Sequence, residues 1–314
     1  MNSMDIDHAH GGDGWKQRSS SYLEEIGIIF GEFGSNSEYS ELRKVILHIP
    51  GNELNLTGDP KEFDFYNFPE KEKAREQILN LSDIYHENGV DVVYLDPLIK
   101  PSPNHLFLRD LFTMTPHGAI ISRMASKVRA GEELDISLAL TREKVPIVKT
   151  IMKGFFEGPD ILFFDSDRAF VAQSVRSDKE GAKQVISLLN EIGINTIEVQ
   201  TVYGCGHLDG VISLLSDKLA LIHPYRVSYT IYNELISSGY KVLLLPDEDE
   251  ALNNMAINIV SINPEKSLIM KGNSKTKKLL LENKIECQEV DLSEIKKGGG
   301  GIHCISGIIS RDLI

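Results

Sequence analysis

The sequence predicts an α/β protein assembled from about five strand–helix–strand units. The first observation is a recurring order of segments, in which a short apolar strand, an amphipathic helix and a second strand follow one another. The second is a residue suited to a left-handed cap at the end of four helices, at Gly89, Gly193, Gly239 and Asn283. The repeat period is roughly 45 to 50 residues, which is typical of a solenoid or propeller-like array. An ordinary α/β sheet also alternates strands and helices, so the periodicity leaves both architectures open.

Four units can be placed directly, each as a strand, a helix and a strand. They cover residues 44–50, 72–89 and 90–97; 169–174, 181–193 and 194–200; 218–224, 229–239 and 240–246; and 267–272, 274–284 and 285–292. A weaker helix over 142–152 indicates one more unit in the long interval between the first two. Residues 1–37 are polar and irregular at their start, so we expect a flexible N-terminal tail followed by a single domain over 38–314.

The charge balance restricts the partners of the chain. Among 314 residues, 46 are acidic and 33 are basic, which gives a net charge of −13. Such a surface repels phosphate backbones and anionic membranes, so we expect no nucleic-acid or membrane partner. The three cysteines predict no disulfide framework, and the polar N-terminus does not have the apolar core of a signal peptide. These features favour a soluble cytoplasmic protein.

Four stretches carry charged or nucleophilic side chains beside glycine or proline, as loops over a site often do. They are "PNHLFLRD" (103–110), "FFEGPD" (155–160), "GCGHLDG" (204–210) and "GGGGIHC" (298–304).

Cys304 is the candidate nucleophile of the last stretch, because a thiolate attacks readily once a nearby cation or base favours its ionisation. If the segment after the glycines is a strand, His303 points to the opposite face and makes a poor partner. His207 is the better candidate, and Asp209 would project to its side of an extended segment. A lone cysteine is more often a small buried apolar residue, and a lone histidine is as often part of a core.

A zinc site is the alternative use of these residues. Cys205, His207, His303 and Cys304 all have suitable donor atoms. However, Cys205 and His207 are not at a usual ligand spacing, and adjacent residues on a strand face apart. We therefore expect no metal, and the glycine run has no Lys-Ser/Thr ending of the kind found in phosphate loops.

Four carboxylates join the cysteine and the histidine as candidate site residues: Asp110, Glu157, Asp160 and Asp209. A single carboxylate near a strand end is usually a turn or cap residue. Several in one pocket would repel one another unless a cation lay among them. A guanidinium group fits that requirement, because a carboxylate can bind it with two hydrogen bonds.

These motifs resemble the guanidino-group-modifying (pentein) superfamily of arginine deiminases, agmatine deiminases, dimethylarginine dimethylaminohydrolases and amidinotransferases. Arginine deiminase is the most similar overall, and the resemblance runs from about Ser40 to Cys304. It includes "SELRKVILHIPGNEL" in the first unit, the Arg-Asp of "PNHLFLRD", the "FEGPD" that is similar to Glu-Gly-Gly-Asp, and "GHLDG". "GGGGIHC" is similar to the segment before the agmatine deiminase nucleophile.

The resemblance implies a role for each catalytic candidate. Cys304 would be the nucleophile and His207 the general acid and base, with Glu157 beside it. Asp110 and Asp209 would hold the guanidinium group.

It also implies three ligands for the arginine carboxylate, at Asn104, Arg129 and Arg176, with Asp160 as a further substrate-binding residue. The implied fold is a five-unit α/β propeller around a central active site. The implied partner is a small guanidino compound, no cofactor is needed, and the oligomeric state is left open.

Three functions are compatible with these motifs. The first is hydrolysis of arginine or a close analogue to citrulline and ammonia through an amidino-thioether on cysteine. The second is transfer of the amidino group to an amine, and the third is non-catalytic arginine binding. Glu157 favours hydrolysis, because amidinotransferases of this superfamily tend to carry Asp there. Pro159 and the "ISGIISRD" ending depart from the deiminase pattern and bear on the substrate and the acceptor.

Overall fold

Five three-stranded sheets, each with a covering helix, make up the chain in this computed structural model, which describes residues 6–97 and 101–314. The number of sheets agrees with the predicted number of units. The strands are β1 (Leu42–Leu47), β2 (Asp91–Tyr94), β3 (Phe112–Thr115), β4 (Gly118–Ile121), β5 (Ile147–Thr150), β6 (Ile161–Asp165), β7 (Arg168–Gln173), β8 (Asn195–Gln200), β9 (Ile212–Ser216), β10 (Leu219–Ile222), β11 (Lys241–Leu244), β12 (Val260–Asn263), β13 (Lys266–Met270), β14 (Glu286–Val290) and β15 (Gly307–Arg311).

Eight α-helices accompany these strands in the described part of the chain. They are α1 (Tyr22–Ile29), α2 (Lys71–Glu87), α3 (Glu132–Arg142), α4 (Lys179–Glu191), α5 (Tyr229–Ser237), α6 (Glu248–Asn253), α7 (Ser274–Glu282) and α8 (Ile302–Ile305).

All five sheets follow one plan. The middle strand is antiparallel to the first strand and parallel to the third. The helix lies in the crossover between the middle and third strands, as in α4 between β7 and β8. The two ends of the chain meet in one sheet, because β15 pairs with β1.

Buried apolar side chains fill the space between each sheet and its helix. In the unit of β6, β7 and β8, for example, Ile161, Phe163 and Val171 of the sheet pack with Val185 and Leu189 of α4. No helix among the described residues is long and apolar enough to cross a bilayer.

Each of the five crossover helices is followed, two residues beyond its end, by a left-handed residue: Gly89, Lys144, Gly193, Gly239 and Lys284. The predicted cap at Asn283 was therefore wrong by one position, since its φ is −103° and the following lysine is left-handed. Lysine gives no sequence signal for this role, because the left-handed region favours glycine and asparagine.

The weak helix predicted over 142–152 was also misplaced. Its first residue, Arg142, ends α3, and Ile147–Thr150 form strand β5. Pro146 follows the turn at Lys144 and cannot continue a helix, and the branched residues after it favour a strand.

The N-terminal segment differs from the predicted tail at its C-terminal end. Helix α1 is capped by Ser21 and has no buried residue, but Tyr22 donates a hydrogen bond to the carbonyl of His117 at 2.7 Å. Gly34 pairs with β15, and Ser35 to Ser37 are buried. The packed fold thus begins before residue 38.

Neighbouring sheets touch in a fixed order. Strand β15 contacts β3, β1 contacts β12, and β12 contacts β9. The turn Gly158–Asp160 before β6 contacts β3, and the turn Leu208–Gly210 before β9 contacts β6. These contacts bring the segments that precede the first strands of the five sheets together, and those segments contain the candidate site residues.

Candidate active site

Six of the nine candidate residues lie at one recurring place, the segment that enters the first strand of a sheet, whereas Arg129 follows β4 and Arg176 follows β7. Asp110 lies in the turn Leu108–Leu111 before β3, Glu157 and Asp160 before β6, and His207 and Asp209 before β9. Cys304 lies in α8 before β15. Because every unit repeats the same plan, four separate stretches of sequence converge here.

A cavity of about 690 Å³ opens among these segments. Six of the nine predicted site residues line it, namely Asn104, Asp110, Arg129, Arg176, His207 and Cys304. Glu157, Asp160 and Asp209 are buried behind its wall. The other lining residues are Lys61, Asp64, Phe65, Tyr66, Phe107, Val175, Gly204, Gly206 and Gly298 to Gly300.

His207 lies between two carboxylates. Its Nε2 atom is 2.8 Å from Oε2 of Glu157, and its Nδ1 atom is 4.0 Å from Oδ1 of Asp110. Burial lowers the pKa of His207, but the charges of Asp110, Glu157 and Asp160 more than offset this and raise it to about 9. The imidazole is therefore a cation near neutral pH and has a proton to give.

Glu157 is the fully buried partner of this histidine. Burial raises the pKa of Glu157, but the His207 hydrogen bond and the nearby positive charges lower it below its usual range. Its other oxygen accepts a hydrogen bond from the Ala125 amide at 3.0 Å and lies 3.7 Å from Nη1 of Arg176. These contacts fix the carboxylate that orients the imidazole.

Arg129 is held by the protein's own groups. Its Nη1 donates to Oδ2 of Asp110, and its Nε donates to Oε2 of Glu132 at 3.0 Å. Its Nη2 donates to the carbonyl of Phe107 at 3.1 Å. Arg129 therefore positions Asp110, and little of its guanidinium group is left for a substrate carboxylate.

Arg176 and Asn104 have different freedom. Nη1 of Arg176 has no hydrogen-bond partner among the described residues, so this guanidinium can accept a ligand. The amide of Asn104 donates to the carbonyl of Phe63 at 3.0 Å. Of the three residues expected to hold a carboxylate, Arg176 has the most unused capacity.

Asp160 acts on the backbone behind the cavity. Its Oδ1 accepts a hydrogen bond from the amide of Leu208 at 2.8 Å, and its Oδ2 accepts one from Ser174 at 2.6 Å. Burial raises the pKa of Asp160 to about 6, against the opposing effect of these donors and of His207. Asp160 thus anchors the residue next to His207 and does not line the cavity.

The predicted strand at Cys304 was wrong. Residues Ile302–Ile305 form the short helix α8, and the strand begins only at Gly307. In a helical turn, adjacent residues do not face opposite sides as they do in a strand. The argument that placed His303 away from the site therefore does not hold.

His303 pairs with Asp209 instead. Its Nδ1 lies 2.8 Å from Oδ2 of Asp209, and both side chains are buried. Burial raises the pKa of Asp209, but the contact with His303 lowers it below its usual range. Asp209 was expected to hold the guanidinium group together with Asp110, but its Oδ2 atom is engaged by His303 instead.

The thiol of Cys304 faces an amide that the sequence did not single out. Nδ2 of Asn258 lies 3.1 Å from the sulfur, and Oδ1 of the same amide accepts a hydrogen bond from the His303 backbone. Burial and the charges of Asp209 and Asp110 raise the pKa of Cys304 to about 12. The free protein therefore holds a thiol in the same cavity as the His207 imidazolium.

Asn258 could have been found from the repeat. It lies just before β12, which is the position that carries Asp110, Glu157 and Cys304 before the first strands of other sheets. An asparagine in an apolar stretch has no chemical signature of its own, so only its place in the unit marks it.

The side chains of Asp110, Glu157 and His207 bring three potential metal-ligand atoms within 4.8 Å of one another. In this structure their charges are matched by protein groups, since Arg129 pairs with Asp110 and His207 pairs with Glu157. The carboxylates therefore need no metal ion for charge balance.

Comparison with known proteins assigns the chain to a family. The family model for the eukaryotic N,N dimethylarginine dimethylhydrolases matches residues 61–310. The chain belongs to that family. Membership of the dimethylarginine dimethylhydrolase family also places the chain in the guanidino-modifying superfamily that its motifs resemble.

Relatives come from more than one branch of the superfamily. The N(G),N(G)-dimethylarginine dimethylaminohydrolase of Pseudomonas aeruginosa is 26% identical over 76% of this chain and 89% of its own. The arginine deiminase of Borrelia recurrentis is 27% identical over 93% of this chain and 100% of its own. A solved structure of the Pseudomonas enzyme, a cysteine-to-serine variant complexed with citrulline, superimposes with a TM-score of 0.72 at 24% identity, covering 87% of this chain and all of that one.

The His303–Asp209 pair yields a stability prediction. His303→Ala should lower the free energy of unfolding at neutral pH by roughly 2–5 kcal/mol, because a buried carboxylate loses its partner. Asp209→Asn in the same variant should recover part of this loss, since no buried charge then remains. Because the pair lowers the folded-state pKa of Asp209, its stabilisation is present above the ordinary carboxyl pKa and is lost as pH falls through the lowered value.

Urea denaturation of the wild type, the single variant and the double variant tests this prediction at neutral and acid pH. The difference in free energy of unfolding between the wild type and His303→Ala should become smaller towards acid pH. A double variant less stable than His303→Ala would contradict a charged pair at this position.

Proposed function

We propose that this protein is a cysteine-dependent hydrolase that converts arginine or an N-methylated arginine into citrulline. One observation carries the proposal. Oδ1 of Asp110 is buried beside the cavity and has no hydrogen-bond partner among the described residues. A guanidinium group in the cavity would supply the missing donor, and it would lie in the same cavity as the Cys304 thiol and the His207 cation.

In the proposed first step, the bound cation offsets the carboxylate charges that hold the Cys304 proton, and the thiol ionises with loss of that proton to water. The sulfur then attacks the guanidinium carbon and forms a C–S bond. His207 gives its proton to the departing nitrogen, and the C–N bond breaks to leave an amidino-thioether.

In the second step, neutral His207 takes a proton from a water molecule that attacks the same carbon. The C–S bond breaks to restore the thiolate, the added hydroxyl group loses its remaining proton to water, and neutral citrulline leaves. Glu157 orients the imidazole in both steps, and Asp110 stabilises positive charge on the substrate. In this mechanism Asp209 and Asp160 do not contact the substrate. Asp209 positions His303, and Asp160 positions the backbone of Leu208, next to His207.

Arginine and N-methylated arginines give the same ureido product and differ in the amine that leaves. Family membership favours a methylated substrate, while the arginine deiminase relatives and the motifs favour arginine itself. Citrulline bound to the Pseudomonas relative is the product common to both. Separate measurement of ammonia and of dimethylamine, beside citrulline, distinguishes the two.

We further propose that the five sheets close into a propeller around this cavity, as one catalytic domain. The order of sheet contacts supports a ring, because it starts and ends at the sheet of β15, β1 and β2. The pairing of β15 with β1 would then join the last unit to the first.

Transfer of the amidino group to an amine is the alternative, and it shares the intermediate. Glu157 favours water as the acceptor, because the amidinotransferases that the sequence resembles tend to carry Asp at this position. Incubation with arginine, with and without glycine, lysine or a polyamine, separates the two by mass spectrometry. Ornithine that appears only when an amine is added would replace the hydrolase proposal by the transferase.

Removal of the nucleophile tests the chemistry. Cys304→Ser should abolish citrulline formation, because a serine hydroxyl does not ionise near neutral pH. Cys205→Ser and Cys287→Ser are the matched controls and should keep activity, since both thiols are buried and neither lines the cavity. Full turnover by Cys304→Ser in a citrulline assay would eliminate the proposed mechanism.

The role of Arg176 in binding the substrate carboxylate is tested by its substitution, with Arg168 as the control residue. Arg176→Ala should raise KM for arginine about 10- to 100-fold, the effect of losing a charge-assisted hydrogen bond. KM for agmatine, which has no carboxylate, should change little. Arg168→Ala is the control, because its side chain is equally exposed, at 29%, but it pairs with Asp165 and Glu234 away from the cavity. An equal change for arginine and agmatine would contradict this role.

A further inference from the structure

The side-chain amide of Asn258 bridges two consecutive residues of the candidate nucleophile turn. Its Oδ1 atom lies 2.7 Å from the backbone nitrogen of His303, and its Nδ2 atom lies 3.1 Å from the sulfur of Cys304. The side chain is buried and lies immediately before β12. No other amide side chain among the described residues contacts this sulfur.

The first of these contacts fixes the orientation of the amide. A backbone N–H can only donate, so the atom that it meets must be the carbonyl oxygen of Asn258. The NH₂ group then has to face the sulfur. Since an NH₂ group can only donate, the sulfur is the acceptor, and an anionic sulfur accepts more strongly than a neutral one.

The absence of a side chain at Gly301 leaves room for the Asn258 amide. A side chain at Gly301 would lie 2.6 Å from Oδ1 of Asn258 and 2.6 Å from the sulfur of Met270. The φ angle of Gly301 is −125°, so the backbone itself does not require glycine there. Close approach of the amide accounts for this member of the glycine run.

We propose that Asn258 stabilises the thiolate of Cys304 and fixes the position of its sulfur for attack. This inference rests on the proposed role of Cys304 as nucleophile. It adds a donor at the reacting atom, supplied by the one sheet whose entering segment carried no predicted site residue.

The charges around the sulfur explain why a donor is needed. Asp209 and Asp110 face it from the turns before β9 and β3, and with burial they raise the pKa of Cys304. The Asn258 amide and the Gly301 backbone oppose this effect. Among the described residues that adjoin Cys304 in the chain or line the cavity, the other charged or titratable groups are His303, next to Cys304, and the cavity-lining residues His207, Arg129, Arg176, Lys61, Asp64 and Tyr66.

Two substitutions of Asn258 separate the effect of losing the hydrogen-bond donor from the effect of losing the whole side chain. Asn258→Asp keeps an oxygen for the His303 amide but replaces the donor by a second carboxylate oxygen. Asn258→Ala removes both contacts and adds no charge. The rate of iodoacetamide alkylation of the Cys304 peptide at about pH 8 should fall several-fold in Asn258→Ala and more than tenfold in Asn258→Asp, because the thiolate is the reacting form.

A pH titration distinguishes a lost donor from a disturbed fold. The ultraviolet absorbance of the thiolate, taken as the difference from the matching Cys304→Ser protein, should begin at a higher pH in both variants, by about one unit or more in Asn258→Asp. Asn273→Asp is the control, since Asn273 is also buried and lies in the same unit, between β13 and α7, but donates to backbone carbonyls. Its thiolate titration should match that of the wild type.

An unchanged titration in Asn258→Asp, or in Asn258→Ala if the aspartate variant does not fold, would overturn the inference. Neither measurement needs turnover, so the two proposals can fail separately. A shifted titration together with full activity of Cys304→Ser would leave Asn258 as a thiolate ligand and reject the proposed function. An unchanged thiolate titration in the Asn258 variants, together with an inactive Cys304→Ser protein, would reject Asn258 as a thiolate ligand and leave the proposed function standing.

Discussion

A buried chain of alternating charges organises this site. Glu132 pairs with Arg129, Arg129 pairs with Asp110, and Asp110 faces His207. His207 pairs with Glu157, which faces Arg176. Each charge has an opposite neighbour on at least one side, and breaking such a pair would leave a buried ion uncompensated. The chain therefore fixes both the positions and the protonation of its members.

Two properties of the site follow from this chain. Three nearby carboxylates raise the pKa of His207 and keep it protonated, which suits a group that must first act as an acid. The same negative environment raises the pKa of Cys304. In the proposed mechanism the thiol ionises only once a cationic ligand is bound, so recognition of the guanidinium charge and activation of the sulfur would be one event. The Asn258 amide would then receive the thiolate that this event creates.

The sequence was informative where residue type and spacing carry the meaning. The four stretches singled out for their charged or nucleophilic side chains do lie close together. The number of units and four of the crossover helices were predicted correctly, because apolar periodicity is a local property. Contacts between distant segments were not. Asp209 pairs with His303, which was predicted to point away from the site, because Leu208–Gly210 and Ile302–Ile305 are helical turns where extended chain was expected. Asn258 and the left-handed Lys144 and Lys284 have residue types that give no local signal, and only the finished repeat reveals their positions.

The protonation of His207 is the property on which the account depends most, and NMR measures it directly. Histidine signals of the ligand-free protein can be titrated, with His207 assigned as the signal that His207→Gln removes. The account predicts a midpoint near 9, with the imidazole still protonated at neutral pH. A midpoint at or below the ordinary histidine value of about 6.5 would show that the charge chain does not hold the proton, and would contradict the assignment of His207 as the acid.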